Sequence, residues 1–351
     1  MAYKAKKTEA HAFQKIEKAL KEGTLKSPLI FYGREQYLVD WAVGAIEEKY
    51  VSPACRELDL SRPEPETLSF SVLQECCETL PLFSEKRLVV ISQFAPLRGQ
   101  GAKGFSKEDE GQLAEYFQKL PESCILVFTA EQVDKRLKLY KAAEAAGAAY
   151  DFTVLSEDLL RGFIHKRLRK AGKTAAPAVV EQLMSMSGYY EKDGDYTLYN
   201  LENDIRKAVA HATGEELRLQ DVADTVSGNL DTDVFALVDA LSRHRKDAAF
   251  QKLQDLLRSG ANHYQLLALI CSQFELLLKL KEMRDEGMSL ETIRERLGVH
   301  EFRLRKAAGF GDRYTAPQLR RILCSAYDVD RNIKDGFLEP SLALEMFVAE
   351  I

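Results

Sequence analysis

Short, unbroken apolar runs alternate with amphipathic segments over the first 150 residues of the chain. The runs are Leu29 to Tyr32, Leu88 to Ile91 and Cys124 to Phe128. Such runs are typical of strands that are buried on both faces of a parallel sheet. Between them apolar residues recur at helical spacing, in the sets Leu38, Trp41, Ala42, Ala45 and Leu113, Tyr116, Phe117, Leu120. The alternation predicts an α/β domain.

A last strand is predicted where Tyr150, Phe152 and Val154 alternate with polar residues, and only helical patterns follow it. One predicted helix begins near Leu159, and Leu198 to His211 form another. A third helical section starts near residue 231. Its long apolar stripe predicts a buried helix and consists of Leu266, Leu267, Leu269, Ile270, Phe274, Leu277, Leu278 and Leu280. The predicted fold class is therefore α/β followed by all-α.

Composition narrows the protein class. The 351 residues are 46% apolar and 29% charged, which fits two to three globular domains. A net charge of −5 does not suit a protein that coats nucleic acid, so any such contact must be local. No apolar run is long enough to span a bilayer, and the polar, basic start does not resemble a signal peptide. We therefore expect a cytoplasmic protein with no membrane association.

Cofactor chemistry is not expected from the motifs. The six cysteines and six histidines show no spacing typical of a metal site or a disulfide framework. After the first predicted strand, Gly33-Arg34-Glu35-Gln36 lacks the Gly-Lys-Ser/Thr ending of a phosphate-binding loop. The stretch from Gly99 to Gly104 matches G-x-G-x-x-G, but it begins eight residues after Ile91 and acidic residues follow it. We interpret it as a surface loop and predict neither ATP hydrolysis nor a bound cofactor.

Two segments are rich in basic residues. Six Lys and Arg and no acid lie between Arg161 and Lys173, and eight basic residues against three acids lie between Arg294 and Arg321. We interpret both first as solvated helix faces. The alternative is a local phosphate-contacting surface. Its candidate residues are Arg294, Arg296, Arg303, Arg305 and Lys306.

The segment from Thr79 to Arg87 contains two large apolar residues in a short connection. Pro81 ends the helix predicted before it, and Arg87 already enters the next strand. On propensity alone, Leu82 and Phe83 belong in the core, beside a buried strand. If instead they are exposed, they form a compact apolar patch for a partner.

Several motifs together resemble a known family. They are Phe31-Tyr32-Gly33-Arg34-Glu35-Gln36-Tyr37-Leu38, the stretch from Glu78 to Val90 that contains Thr-Leu-Pro-Leu-Phe, Asp134-Lys135-Arg136 with Lys138-Leu139-Tyr140, and Asp330-Arg331-Asn332-Ile333-Lys334-Asp335-Gly336. In this order they resemble the delta subunit of bacterial DNA polymerase III. The resemblance implies an AAA+-like α/β domain at 1–153, a helical lid domain at 154–226 and a helical collar domain at 227–351. It also implies a non-catalytic clamp-loader subunit within a DNA-directed DNA polymerase, a nucleotidyltransferase.

The resemblance further implies partners and site residues. The partners would be the sliding clamp (the beta subunit), whose ring the subunit opens, the gamma/tau ATPase subunits, the delta-prime subunit, and primed DNA through the assembled complex. The clamp-binding residues would be Leu80, Pro81, Leu82 and Phe83. We add Phe337 as a candidate for DNA contact, although packing against the collar is the favoured interpretation.

Two features of the chain depart from the family pattern, and two other functions stay open. The departures are the extended loop from Tyr189 to Tyr199 and the long lead before the first strand. The open alternatives are an active AAA+-type ATPase with an atypical nucleotide loop and a free-standing DNA-binding regulator. ATP turnover by the purified protein would favour the first, and salt-sensitive DNA binding by the isolated chain would favour the second.

Overall fold

The structure, a computed structural model, describes residues 10–65, 68–191, 196–226, 230–311 and 313–351. The chain divides into two compact units, Met1–Leu155 and Ser156–Ile351. The division of the second unit into a lid domain and a collar domain stays a prediction.

The first unit contains a parallel sheet whose strands are connected mainly by helices. The strands are β1 (Leu29–Tyr32), β2 (Leu60–Ser61), β3 (Arg87–Ile91), β4 (Cys124–Ala130) and β5 (Ala148–Asp151). The helices are α1 (Ala12–Glu22), α2 (Gln36–Tyr50), α3 (Arg56–Asp59), α4 (Phe70–Glu78), α5 (Lys107–Tyr116) and α6 (Lys138–Ala146), with short 3₁₀ helices at Pro53–Cys55 and Ala95–Arg98. The strand order is β2-β3-β4-β1-β5, and every neighbouring pair is parallel.

The three strands predicted from apolar runs form the centre of this sheet. All residues of β1, β3 and β4 are buried, as the lack of polar alternation in their sequences predicts. In the ladder, Val127 of β4 lies opposite Leu29 of β1 and also opposite Val90 of β3. Because the strands are parallel, their carboxyl ends lie along one edge, the usual place for a ligand in such a sheet.

The edges of the sheet differ from the prediction. β5 ends at Asp151, because β1 ends at Tyr32 and leaves no partner strand beyond it. Phe152 is nevertheless buried and stacks edge-on against Phe31, which explains the alternation in the sequence. The pattern also did not predict β2, which is only two residues long.

The second unit is helical apart from a pair of short parallel strands. The strands are β6 (Thr174–Ala175) and β7 (Glu216–Leu217). The helices are α7 (Glu157–Lys170), α8 (Pro177–Ser187), α9 (Leu198–His211), α10 (Leu219–Thr225), α11 (Leu230–Ser242), α12 (Lys246–Arg258), α13 (His263–Asp285), α14 (Leu290–Leu297), α15 (Glu301–Gly311), α16 (Ala316–Lys334) and α17 (Pro340–Glu350). The predicted fold class, a parallel-sheet α/β domain followed by helices, is confirmed.

Helix α13 lies at the centre of the larger core of the second unit. It packs against α11, α15, α16 and α17, and its Leu266, Ile270 and Phe274 are fully buried, as the apolar stripe predicts. The Asn262 side chain begins the helix by accepting hydrogen bonds from the N–H groups of Tyr264 and Gln265. Within the described ranges, no helix has the length and apolarity needed to cross a membrane.

The loop that departs from the family pattern is described only in part. Residues 192–195 lie outside the described residues, but Tyr189 and Tyr190 before them are buried. The Tyr190 ring stacks on the His300 ring, with centroids 3.9 Å apart. The start of this segment is therefore part of a packed core, whereas the whole segment is expected from the sequence to be an extended loop.

Residue 147, just before β5, lies so close to the start of β1 that an added methyl group is expected to destabilise the fold. A Cβ on Gly147 would overlap the carbonyl oxygen of Pro28, which accepts the N–H of Ala148. We expect Gly147→Ala to lower the free energy of unfolding by about 3 kcal/mol, because the edge strand must move. Urea unfolding followed by circular dichroism would measure the change.

The matched control is Gly44→Ala in the exposed part of α2, where a Cβ meets nothing within 4 Å. There the better helix propensity of alanine should raise the free energy of unfolding by about 1 kcal/mol. Equal stability of the two variants would contradict the packing described at β5.

Candidate functional site

Residues 80–84, here called the tip, lie in the connection between α4 and β3 and carry three exposed apolar side chains. Leu80, Leu82 and Phe83 are 72%, 61% and 79% exposed, and Pro81 is half-buried. Helix α4 ends at Glu78 with Thr79 as its C-cap, and Pro81 prevents a further turn. The expectation from propensity that Leu82 and Phe83 lie in the core is therefore wrong.

The reason is that the core beside β3 is already filled. Leu73 and Cys77 of α4 lie in the same buried cluster as Val89 and Ile91 of β3. The connection that follows α4 is short and returns to the strand along the surface. Leu82 and Phe83 do not belong to this cluster, and both side chains are exposed.

The backbone of the tip is held by one buried carboxylate, that of Asp59. Its Oδ1 accepts a hydrogen bond from the N–H of Leu82 at 2.8 Å. Its Oδ2 accepts from the N–H groups of Phe83 at 3.3 Å and Ser84 at 3.1 Å. Successive N–H groups that converge on an anion form a nest, and bonds of this kind are stronger than neutral ones.

The electrostatics of Asp59 fit this arrangement. Burial would by itself raise the pKa of the carboxyl group. The Ser84 side chain and the backbone N–H groups of residues 82–84 donate hydrogen bonds that lower the pKa of Asp59 below its ordinary value. Asp59 therefore stays ionised at neutral pH although it is fully buried.

The segment that carries Asp59 is fixed independently of the tip. The Arg87 guanidinium donates to the Leu58 carbonyl oxygen at 2.7 Å and to Ser61 Oγ at 2.7 Å, on either side of Asp59. The Glu47 carboxylate of α2 pairs with Arg56 at 2.5 Å and with Arg62 at 3.2 Å. These contacts hold α3 and the edge strand β2 against β3 and α2, so the carboxylate has a defined position.

The exposed apolar surface is not limited to the tip. Leu58, which immediately precedes Asp59, is 55% exposed. Asp59 bonds the backbone of residues 82–84, so Leu58 belongs to a chain segment that lies directly beside the tip. Two neighbouring segments therefore present apolar side chains, an arrangement typical of a protein-binding surface.

The edge of the sheet where a nucleotide would bind is occupied by the chain itself. The N–H groups of Gly33 and Glu35, which follow β1, donate to the carbonyl oxygens of Glu131 at 3.2 Å and Phe152 at 2.9 Å. The Gln36 side chain donates from Nε2 to the carbonyl oxygens of Gly33 at 2.7 Å and Ala130 at 3.3 Å. A phosphate-binding loop needs its N–H groups free to face the phosphates, and these two are not.

The Gly-rich stretch also lacks the geometry of a dinucleotide site. It follows the 3₁₀ helix Ala95–Arg98 and not a strand, and α5 begins only at Lys107. Among the described residues, no group of three or more His, Cys, Asp or Glu side chains could hold a metal ion. All six cysteines are free thiols.

The five basic candidates for DNA contact are not brought together as one free surface. Arg303 pairs with Glu191 at 2.5 Å, with both side chains largely buried, and Arg305 pairs with Glu157. Arg294 lies 3.7 Å from Glu301. Arg296 is exposed. DNA contact by these residues stays a prediction.

The fifth basic candidate, Lys306, and the aromatic candidate, Phe337, differ sharply in their surroundings. Lys306 donates to Ser185 Oγ and lies over the rings of Phe235 and Phe302, and burial lowers the pKa of its ammonium group. Phe337 follows the end of α16 and is 76% exposed, so the favoured expectation that it packs against the collar is wrong. Exposure suits a contact with DNA or protein, and its role stays a prediction.

Asp59 and Arg87 are the site residues that sequence reasoning missed. Asp59 lies between Leu58 and Leu60 and resembles any polar residue in a mixed segment. Its partners are backbone N–H groups, which every residue except proline has, so no side-chain pattern identifies the contact. The only available signal was a charged residue flanked by apolar ones, and it is weak.

Comparisons with known proteins agree on one family. Residues 29–151 match the family model "DNA polymerase III, delta subunit", and residues 231–351 match "DNA polymerase III delta subunit, C-terminal domain". The chain is 25% identical over 339 residues to DNA polymerase III subunit delta of Bacillus subtilis, covering 96% of both proteins. It is similar to the solved structure of the Bacillus subtilis DNA clamp loader delta protein, with a TM-score of 0.60 and 25% identity over 96% of this chain and 98% of that one.

The pairing of Arg303 predicts that this residue stabilises the fold. We expect Arg303→Met to lower the free energy of unfolding by about 1–3 kcal/mol, because it removes the guanidinium from a largely buried carboxylate. Arg296→Met, on an exposed side chain, should change it by less than about 0.5 kcal/mol. Thermal unfolding of both variants would compare them, and equal unfolding temperatures would contradict the described pairing.

Proposed function

The chain belongs to the DNA polymerase III delta subunit family, and on that premise we propose that it is a clamp-loader subunit that binds the sliding clamp through the tip. The observation that carries the proposal is the exposure of Leu82 and Phe83 on a turn with a fixed backbone. The first unit supplies the rigid scaffold for this contact, and the chain acts in the cytoplasm.

The energetics of the tip suit a binding hot spot. Burying a Leu or a Phe side chain contributes about 1.5–3 kcal/mol, so the pair contributes at most about 3–6 kcal/mol. Leu80 and Leu58 offer further apolar area beside them. A few apolar anchors surrounded by weaker contacts are the usual composition of a protein interface.

Ring opening would follow from a difference in affinity. A subunit that binds the closed and the open clamp equally well shifts nothing, however tight the binding. In the proposal the tip therefore contacts the open ring better than the closed one. The gamma/tau ATPase subunits and the delta-prime subunit would assemble with the helices of the second unit and control when the tip is presented.

The proposal gives this chain no catalytic role of its own. Support comes from the Gly33-Arg34-Glu35-Gln36 connection, whose N–H groups at residues 33 and 35 are bonded to backbone oxygens. An active ATPase would need those groups for phosphate, so this alternative is disfavoured. Contact with primed DNA belongs to the assembled complex, for which Arg296, Arg305 and Phe337 are the exposed candidates.

Removing the apolar anchors should abolish clamp binding and leave the fold intact. For Leu82→Ala with Phe83→Ala we expect clamp affinity to fall at least about a hundredfold, since about 3 kcal/mol or more of apolar burial is lost. Surface plasmon resonance with the full chain and purified sliding clamp measures the affinity, and circular dichroism checks the fold.

A matched control replaces an exposed Leu and an exposed aromatic residue in the second unit, by Leu219→Ala with Tyr199→Ala. Its clamp affinity should equal that of the unsubstituted chain. The assignment of the tip fails if the tip variant and the control bind the clamp alike.

Nucleotide should leave the isolated chain unaffected. We expect millimolar ATP with Mg²⁺ to leave its unfolding temperature unchanged, because a ligand that binds the native state stabilises it by an amount that grows with its concentration over Kd. A thermal shift with ATP, accompanied by phosphate release, would instead establish the ATPase alternative.

A further inference from the structure

We propose that Asp59 is a positioning residue that holds residues 82–84 in the conformation that binds the clamp, and that it sets clamp affinity without touching the clamp. The proposal rests on the proposed function of the tip. It assigns a role to a residue outside the connection that carries the apolar side chains. Asp59 is fully buried, so any effect on binding must act through the backbone that it holds.

The hydrogen bonds to Asp59 fix the part of the tip that carries the anchors. The N–H groups of Leu82, Phe83 and Ser84 are consecutive, and one carboxylate accepts from all three. The backbone is therefore curved around the carboxylate at the two residues whose side chains are exposed. The amide side of the turn faces the protein, and Leu82 and Phe83 remain accessible from outside.

A second contact holds the C-terminal end of the tip. Ser84 Oγ accepts a hydrogen bond from the N–H of Ser52 at 2.9 Å, and its hydroxyl also bonds Asp59. The tip is thus tied to the segment between α2 and β2 by polar contacts. Its own apolar side chains contribute little, because they lie in water.

The segment that carries Asp59 is held in place by contacts that do not involve the tip. Arg87 of β3 bonds the chain on both sides of Asp59, and Glu47 of α2 holds Arg56 and Arg62. Arg87 also donates from Nε to the carbonyl oxygen of Cys76 in α4, at 2.6 Å. The carboxylate is therefore positioned by the sheet and by two helices, and it transfers that order to the tip.

The consequence for binding is quantitative. A segment that samples its binding conformation for only a fraction of the time binds with an affinity reduced by that fraction. If the tip without the carboxylate is in the binding conformation about one-tenth of the time, the apparent Kd rises about tenfold. Preorganisation of this kind changes affinity without adding or removing a contact with the partner.

The test uses Asp59→Asn in the full chain. Asparagine has the same shape, but it replaces one carboxylate oxygen by an NH₂ group that faces the N–H donors and cannot accept from them. We expect the clamp Kd to rise about tenfold. We also expect hydrogen exchange to become faster at the amides of residues 82–84, with exchange in β3 and β4 unchanged.

The matched control is Asp134→Asn. Asp134 also has a lowered pKa and accepts hydrogen bonds on both oxygens, but from Arg136 in another turn of the first unit. Its clamp affinity should stay within twofold of the unsubstituted chain. A loss equal to that of Asp59→Asn would overturn the proposal, because the effect would then not be specific to the tip.

Combination with the tip variant separates failure of this proposal from failure of the proposed function. In the Leu82→Ala, Phe83→Ala background, Asp59→Asn should change the remaining affinity less than twofold, since the anchors it positions are gone. If the tip variant weakens binding and Asp59→Asn does not, the role of Asp59 is overturned and the proposed function stands. If the tip variant binds normally, the proposed function fails and the role of Asp59 fails with it.

A purely structural role for Asp59 is also detectable. Faster exchange throughout β3 and β4 would show that the sheet itself depends on Asp59 and would overturn the proposal. If Asp59→Asn does not fold, Ser84→Ala replaces it, because this variant removes the second tie and leaves the carboxylate in place. A threefold or larger rise in Kd with faster exchange only at residues 82–84 would support the proposal, and unchanged affinity would overturn it.

Discussion

The buried carboxylate of Asp59 holds a turn whose own side chains cannot hold it. Leu80, Leu82 and Phe83 point into water and contribute little packing, so the backbone depends on the three N–H groups that converge on Asp59. The sheet below depends on a different interaction, the burial of the apolar strands. Because the two interactions are separate, the surface of the tip is free to serve a partner without affecting the core.

The α/β unit has the strand order and edge where a nucleotide could bind, yet the chain fills that edge itself. Gln36 joins the carboxyl ends of β1 and β4, and the N–H groups of residues 33 and 35 bond carbonyl oxygens of the same unit. The polar groups that a phosphate would require thus stabilise the scaffold instead. In the proposed function this scaffold serves recognition, and binding sites built on rigid elements are the most accurately positioned.

The sequence predicts the parts of the structure that burial determines. The apolar runs predicted β1, β3 and β4, and the helical spacing predicted α9 with the bounds that it has. The exposure of Leu82 and Phe83 could not be derived in this way. Whether an apolar residue beside a strand is buried depends on which other residues pack against that strand, and here residues of α4 do so. Propensity alone placed both residues in the core, whereas resemblance to the family implies an exposed role in clamp binding, which stays a prediction.

The sequence pattern also did not predict the polar contacts between distant segments. Arg303 and Lys306 resemble solvated basic residues in one dimension, but α15 brings them against Glu191 and Ser185. Asp59 bonds backbone groups that carry no sequence signature. Such contacts depend on the tertiary arrangement. The spacing of apolar residues in a single sequence predicts helices and strands, but it does not predict which distant residues they contact.

Photocrosslinking tests most directly whether the tip contacts the sliding clamp. With a photoreactive benzoylphenylalanine in place of Phe83, the full chain should crosslink to purified clamp on illumination, and the same group in place of Tyr199 should not. Crosslinking from position 199 with none from position 83 would contradict the account, because the clamp would then bind a surface other than the tip.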